Sequence, residues 1–325
     1  MVRVVSLLFT LISTSANAQV VIFDSGNGCR QLGDGNDIIF EGCNVNIVNG
    51  LGATDRANGS GNLKIGYDRP RWFGNSREGS HNVIIGDEHD YRATAGIVSG
   101  FSNSIEGHHA AAIGGEYNRA IGFGAVVIGG VHGTAGALYS AVFGGQDGFA
   151  DGEHAVTVGG MGARATGSWS VTGGGVSNTG SGDYTTVVGG HRNEATASYA
   201  TTIGGDENRA SGDYAVASGG RSNTASGEYS AVSGGLYNDC TGNLCAIAGG
   251  FDNTASGTSS AILGGVSNEA GDTYSVVLAG GNNDASSVGA VVVGGEHNTA
   301  SGRWSALLGG RFMAVVNDHA TVWWF

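Results

Sequence analysis

Proline and lysine are almost missing from this sequence: Pro70 and Lys64 are the only examples in 325 residues. Charged residues of all kinds make up just 13%. Basic residues are the scarcer sign, 15 against 28 acids, for a formal net charge of −13. A chain this acidic has no basic stripe with which to bind phosphates, which excludes nucleic acid as a natural partner. It is equally ill suited to an anionic membrane surface. No run approaches the ~20 apolar residues of a membrane-spanning helix. Glycine is abundant at 62 residues but follows no G-X-Y period, which sets collagen aside. Hydrophobic residues amount to 40%, with valine and isoleucine regularly placed, and this argues against disorder.

The beginning of the chain has the pattern of a secretory signal. Arg3 supplies a positive charge, Val4 to Ile12 an apolar run, and Ala16-Asn17-Ala18 a small-x-small cleavage site. Residues 1–18 are therefore expected to be removed, and the protein to be secreted or to lie at the cell surface, extracellular or associated with an outer membrane. In such a compartment the four cysteines Cys29, Cys43, Cys240 and Cys245 are expected in two local disulfides. No pair has C-x-x-C spacing, so a metal site is the weaker reading.

A 15-residue period dominates the rest. Gly-Gly pairs end at every fifteenth position from Gly115 to Gly265. One 16-residue and one 14-residue step then lead to Gly281 and Gly295, and a last pair ends at Gly310. Ser99-Gly100 and Asn82-Val83-Ile84-Ile85-Gly86 extend the series backwards. Counting from the second glycine, position 3 is mostly asparagine: Asn103, Asn118, Asn178, Asn193, Asn208, Asn223, Asn238, Asn253, Asn268 and Asn298. Position 5 is small, position 7 usually glycine, and position 9 often aromatic or histidine.

Fifteen residues are too few for a helical hairpin or a propeller blade, but suit one coil of a parallel β-solenoid. The expectation is an all-β parallel β-solenoid, or β-roll, of about 14 to 15 coils spaced ~4.8 Å apart. Glycine fits turns that need positive φ, and stacked asparagines are expected to form a hydrogen-bonded ladder. In strands such as Ala125-Val126-Val127-Ile128 neither alternating face is polar. One face would line the coil and the other pack on neighbouring chains, which points to an oligomer.

The segment Ala225-Ser226-Gly227-Glu228-Tyr229-Ser230-Ala231-Val232-Ser233-Gly234 resembles the head repeats of trimeric autotransporter adhesins, the YadA-like heads. Those repeats read approximately A-x-G-x-x-S-x-A-x-G, and Val232 alone departs from the pattern. The resemblance extends over residues 82–310, about seven-tenths of the chain. It implies a left-handed parallel β-roll, an intertwined homotrimer, and adhesion to host or matrix surfaces. No heptad pattern of a stalk follows the repeats. The 15 residues after Gly310 are too few for a membrane anchor of several strands, so self-anchoring is not expected.

The resulting division is a signal peptide (1–18), an N-terminal cap region with irregular strands (19–80), the β-roll (81–310) and a C-terminal cap (311–325). Within 19–80, Asn62-Leu63-Lys64-Ile65-Gly66 reads as a short strand and Pro70 to Glu78 as an excursion between early coils. Gly33-Asp34-Gly35-Asn36-Asp37 is close to a calcium-binding nonapeptide, which makes Asp34 and Asp37 weak calcium candidates. Tandem copies are needed for such a site, and there is one. Position 9 offers a possible binding stripe: Tyr139, Trp169, Tyr184, Tyr199, Tyr214, Tyr229, Tyr274 and Trp304, with His109 and His154. The competing reading has these rings packed between subunits or over the coil edge. No nucleophile, base and orienting group stand together, so no enzyme activity and no cofactor are expected.

The functional expectation is an adhesin-like repeat protein binding a surface ligand, a matrix protein or glycan, by many weak equivalent contacts. A structural envelope rod without a ligand is the first alternative. Ice or crystal-surface binding is the second, weakened by position 4 reading Thr224, Asp239, Thr254, Glu269. A glycan-active solenoid enzyme stands last.

Overall fold

The computed structural model describes residues 20–24, 30–34, 37–41, 43–72 and 76–322. Two compact units are present, residues 1–47 and 48–325. The signal segment 1–18 lies outside the described residues.

In the first unit three strands, β1 (Val20–Asp24), β2 (Arg30–Asp34) and β3 (Asp37–Glu41), form an antiparallel sheet in sequence order. Asp34 faces Asp37 across the close of the second hairpin. That backbone differs from the successive parallel turns between which the calcium nonapeptide holds its ion.

The second unit is a parallel β-solenoid of about sixteen coils, one or two more than the glycine pairs count. Its longer-strand sheet begins at β4 (Leu63–Ile65), β5 (Val83–Asp87) and, after the short β6 (Asp90–Tyr91), β7 (Ile97–Phe101). It continues through Ala111–Ile113 and its successors to Thr321–Val322, 18 strands in all among the described residues. A second sheet of 16 two-residue strands runs from β6 to Ala314–Val315. A third line of single parallel bridges joins position 1 of successive coils, from Phe101–Glu116 to Glu296–Arg311. From the coil of Phe101 onward each coil is thus hydrogen-bonded to the next on three sides.

The first coils are irregular in length. Leu63 pairs with Val83, twenty residues on, whereas Val83 pairs with Ile97 at fourteen. The surplus forms an excursion around Pro70 that is tied down by ions. Arg69 meets Asp87 at 2.9 Å and Arg71 meets Asp90 at 2.7 Å. Buried Asp68 is held by Lys64 at 2.9 Å, Arg77 at 3.1 Å and the Tyr91 hydroxyl, which donates at 3.0 Å.

From Ala111 onward the pairing is an unbroken fifteen, including the stretch where the glycine pairs shift. There Ala279-Gly280 takes the turn, and Gly281 stands at position 1, bridging Val266 and Glu296. The register never slips. A change in turn conformation explains why alanine is accepted. From Gly114 to Gly219 the first glycine of each pair is left-handed, with φ between 62° and 73°. Its N–H bonds back to position 13 of the coil before, as Gly204 does to the Val188 carbonyl at 2.7 Å. At Gly234 φ opens to 159°, and Gly249, Gly264, Ala279 and Gly294 are no longer left-handed. The longer-strand segments shorten from three residues to two at the same point.

The interior is narrow and built from small residues. Position 5 alanines and position 12 residues such as Val127, Val142, Val187 and Leu307 are completely buried. Position 10 hydroxyls are buried too; those of Ser140, Ser170, Thr185 and Ser305 donate to the position 7 carbonyl of the same turn, Ser170 to Gly167 at 2.6 Å, whereas those of Ser230 and Ser260 have no hydrogen-bond partner among the described residues. Position 7 is glycine in most coils, where successive coils approach closely. A Cβ on Gly227 would lie 1.9 Å from the Gly242 carbonyl oxygen.

Candidate functional site

The asparagines of position 3 are interior. Asn103, Asn118, Asn178, Asn193, Asn208, Asn223, Asn238, Asn253, Asn268 and Asn298 are all 0 or 1% exposed. Each Oδ1 accepts the backbone N–H of the residue fifteen on, as Asn208 accepts from Asn223 at 3.1 Å. Each Nδ2 donates to turn carbonyls, as Asn223 does to Gly219 and Gly235 at 3.2 and 3.0 Å. Asn283 belongs to the same ladder, accepting from Asn298 at 3.1 Å. The chain of side chains is interrupted where Gly133, Gly148 and Ala163 hold the position. These residues satisfy the turns and face no ligand.

Cys240 and Cys245 form a disulfide across one coil with a Cα–Cα distance of 5.8 Å. They stand at positions 5 and 10, where the other coils put alanine and serine. Cys43 is also disulfide-bonded, and Cys29 lies outside the described residues.

What the solenoid presents outward differs from side to side. On the longer-strand sheet, positions 11 and 13 point out. They carry Val126 and Ile128, Ala141 and Phe143, Val156 and Val158, Thr201 and Ile203, and onward to Ala306 and Leu308. No charged residue occurs at either position from Ala111 to Leu308. Ile113, Ile128, Phe143, Val158, Val188, Ile203, Leu263 and Leu308 are 38 to 56% exposed. On the short-strand sheet positions 4 and 6 are mostly polar, for example Arg209 with Ser211 and Thr254 with Ser256, with Phe149 and Ile121 among the exceptions. Two half-buried carboxyls in position 4, Asp239 and Asp284, are pushed above the usual range by desolvation. Positions 1 and 2 carry cross-coil contacts such as the His191–Asp206 hydrogen bond at 2.7 Å and the Arg192–Glu207 ion pair at 3.3 Å.

Position 9 forms the aromatic column. Tyr139, Trp169, Tyr184, Tyr199, Tyr214, Tyr229, Tyr274 and Trp304 are 44 to 56% exposed. They adopt left-handed φ of 52° to 60°, a conformation costly for bulky L residues. Each backbone N–H is satisfied by the coil before, as Tyr199 donates to the Asp183 carbonyl at 2.9 Å. Stacking supplies a further offset. His154 and Trp169 rings lie 4.0 Å apart. Tyr184, Tyr199, Tyr214 and Tyr229 succeed one another at 4.7 to 4.8 Å, with planes within 8° of parallel. Where Gly124 leaves a gap, Phe123 at position 8 fills it between His109 and Tyr139. Leu244 ends the run.

Position 8 was not evident as a functional position from the repeat alone, because it alternates in character. Next to the stacked tyrosines it carries Asp183, Asp213 and Glu228. Tyr214 is raised above the ordinary phenol range, chiefly by desolvation and then by Tyr199, Tyr229, Asp213 and Glu228. Among the described residues no three metal-ligating side chains converge. His108 bonds Thr94 at 2.8 Å, and fully buried His89 is lowered below the ordinary imidazole range by desolvation. Compared with known proteins, the sequence matches no family model and no curated protein.

Proposed function

We propose that this protein is an adhesin-like binding rod at the cell surface or outside the cell, and that it works as a homotrimer without catalytic chemistry. The observation that carries the reading is the unbroken 15-residue register. It repeats the same outward residue types once per coil, so that many weak contacts to one surface add up. The resemblance to trimeric adhesin heads agrees with this arrangement and supplies the trimer. Matrix proteins and glycans are the ligand classes it suggests.

The charge-free outer face of the longer-strand sheet is the surface on which copies would pack. About fourteen coils at ~4.8 Å, two outward columns wide, present roughly 700 Å² per copy, near the ~800 Å² per partner of a standard interface. An exposed apolar strip of this length on a soluble chain is otherwise a liability. Light scattering on the purified protein tests the association. A trimer that falls apart when Ile128, Val188 and Ile203 are changed to lysine is the expected result. Binding of the intact trimer to immobilised matrix proteins and glycans tests the function. A monodisperse monomer with no binding to any such surface overturns the reading.

A further inference from the structure

The stacked rings constrain what the aromatic column is able to hold. Sugars are gripped by ring faces, and in the run from His154 to Tyr229 those faces are turned to one another. What remains open to solvent is a row of ring edges and hydroxyls with one member per coil. Ring edges carry the positive end of the aromatic quadrupole, and ring faces the negative end. A flat ring system laid lengthwise along the row would cover edge after edge and bury apolar area on each, and for a cationic one the carboxylates beside the row offset the positive edges.

Charge selects further among flat ligands. Over the halves of the coils that bear the rings, 166–175, 181–190, 196–205, 211–220 and 226–235, there is no lysine, arginine or histidine. The charges there are Asp183, Asp213 and Glu228, all in the position beside the rings. The arginines of these coils, Arg164, Arg192, Arg209 and Arg221, stand at positions 1 to 4; Arg164 lies over the Phe149 ring, and the other three each pair with an acid of the neighbouring coil.

We propose that the column from Trp169 to Tyr229 is a binding site for an extended, flat aromatic cation, which lies along the solenoid axis over the ring edges with Asp183, Asp213 and Glu228 beside it. The ligand must span at least three coils, about 14 Å, to engage the row. This site goes beyond the adhesin reading and stands or falls separately from it.

Thioflavin T, an elongated flat cation, is a suitable probe. Titration into the intact protein, followed by fluorescence and anisotropy, is expected to saturate. The double variant Y199S/Y214S keeps the fold, because Ser259 occupies the same position in the native chain with φ of 56°. Loss of two ring contacts is expected to weaken binding about tenfold. D213N/E228Q is expected to weaken the cationic probe while leaving the circular dichroism spectrum unchanged. Y237S, on the opposite edge at position 2, is the control and is expected to bind as the wild type does. The proposal is overturned if the wild type shows no saturable signal. It is also overturned if Y199S/Y214S binds as tightly with its fold intact, which would place the probe elsewhere, for instance on the apolar sheet face.

Discussion

Replacing Asn223 by alanine tests how the solenoid is held together. Asn223 is completely buried. Its Oδ1 is the sole acceptor for the Asn238 backbone N–H at 3.0 Å, and its Nδ2 is the donor to the Gly219 carbonyl at 3.2 Å. The Gly235 carbonyl loses one donor but keeps another, the Arg221 N–H at 2.9 Å. Truncation therefore strands one buried donor and one half-buried acceptor. At about 1–3 kcal/mol for the donor and less for the acceptor, which water reaches, N223A should lower stability by roughly 2–4 kcal/mol. Because coils touch their immediate neighbours alone, the loss should be local. Hydrogen exchange read by mass spectrometry should show faster exchange in peptides spanning 215–240 and unchanged exchange near Asn118 and Asn298. Urea melts supply the magnitude, analysed segment by segment, since a long repeat array need not unfold in one step. A loss below about 0.5 kcal/mol, or an even acceleration along the whole chain, would refute the ladder as a local clamp.

Three further expectations follow from the same geometry. G227A should cost several kcal/mol, since its Cβ would strike the Gly242 carbonyl, whereas G249A should be nearly neutral because nothing lies within 4 Å of its Cβ; thermal melts separate the two. Converting Cys240 and Cys245 to the alanine and serine of the other coils should leave the fold intact and lower stability by about 2 kcal/mol, the value for so short a loop. A reductant should then shift the wild-type melt more than that of the variant, which keeps the disulfide of Cys43. Desolvation raises the carboxyls of Asp239 and Asp284 above their unfolded value, so their contribution is fully present below the unfolded pKa and is lost as pH rises through the folded one. D239N should therefore raise Tm at pH 7 and leave it unchanged near pH 3. An equal shift at both values would assign the effect to something other than the charge.

Most of the solenoid was legible because its constraints repeat. A position that must be buried and small is alanine in coil after coil, as at Ala120, Ala210 and Ala300, and the period announces itself. The disulfide within one coil was readable for the same reason, since Cys240 and Cys245 fall where alanine and serine belong. Features that break or cross the period were harder to see. The glycine pair at Gly280-Gly281 reads as a slipped register, yet the backbone holds fifteen and simply moves a glycine into position 1. Positive φ was assigned to the glycines, but Tyr199 and Trp169 share it, because cross-coil hydrogen bonds and ring stacking outweigh the local preference. Local propensity gives no hint of that, since the compensating groups lie fifteen residues away. The anionic flank of the aromatic column was hidden as well, because Asp183 and Asp213 alternate with serines.

The change of turn at Gly234 bears on how such a chain grows or shrinks. A coil copied or deleted by unequal recombination fits its new neighbours when both use the same turn. Before Gly234 every first glycine is left-handed, so coils there are interchangeable with one another and resist alanine at that place. After it the turn tolerates alanine, as Ala279 demonstrates, and sequence drift is freer. Length variation among descendants of this gene should therefore occur within either half, by whole multiples of fifteen residues, with the junction near Gly234 kept as the boundary between two lineages of coil.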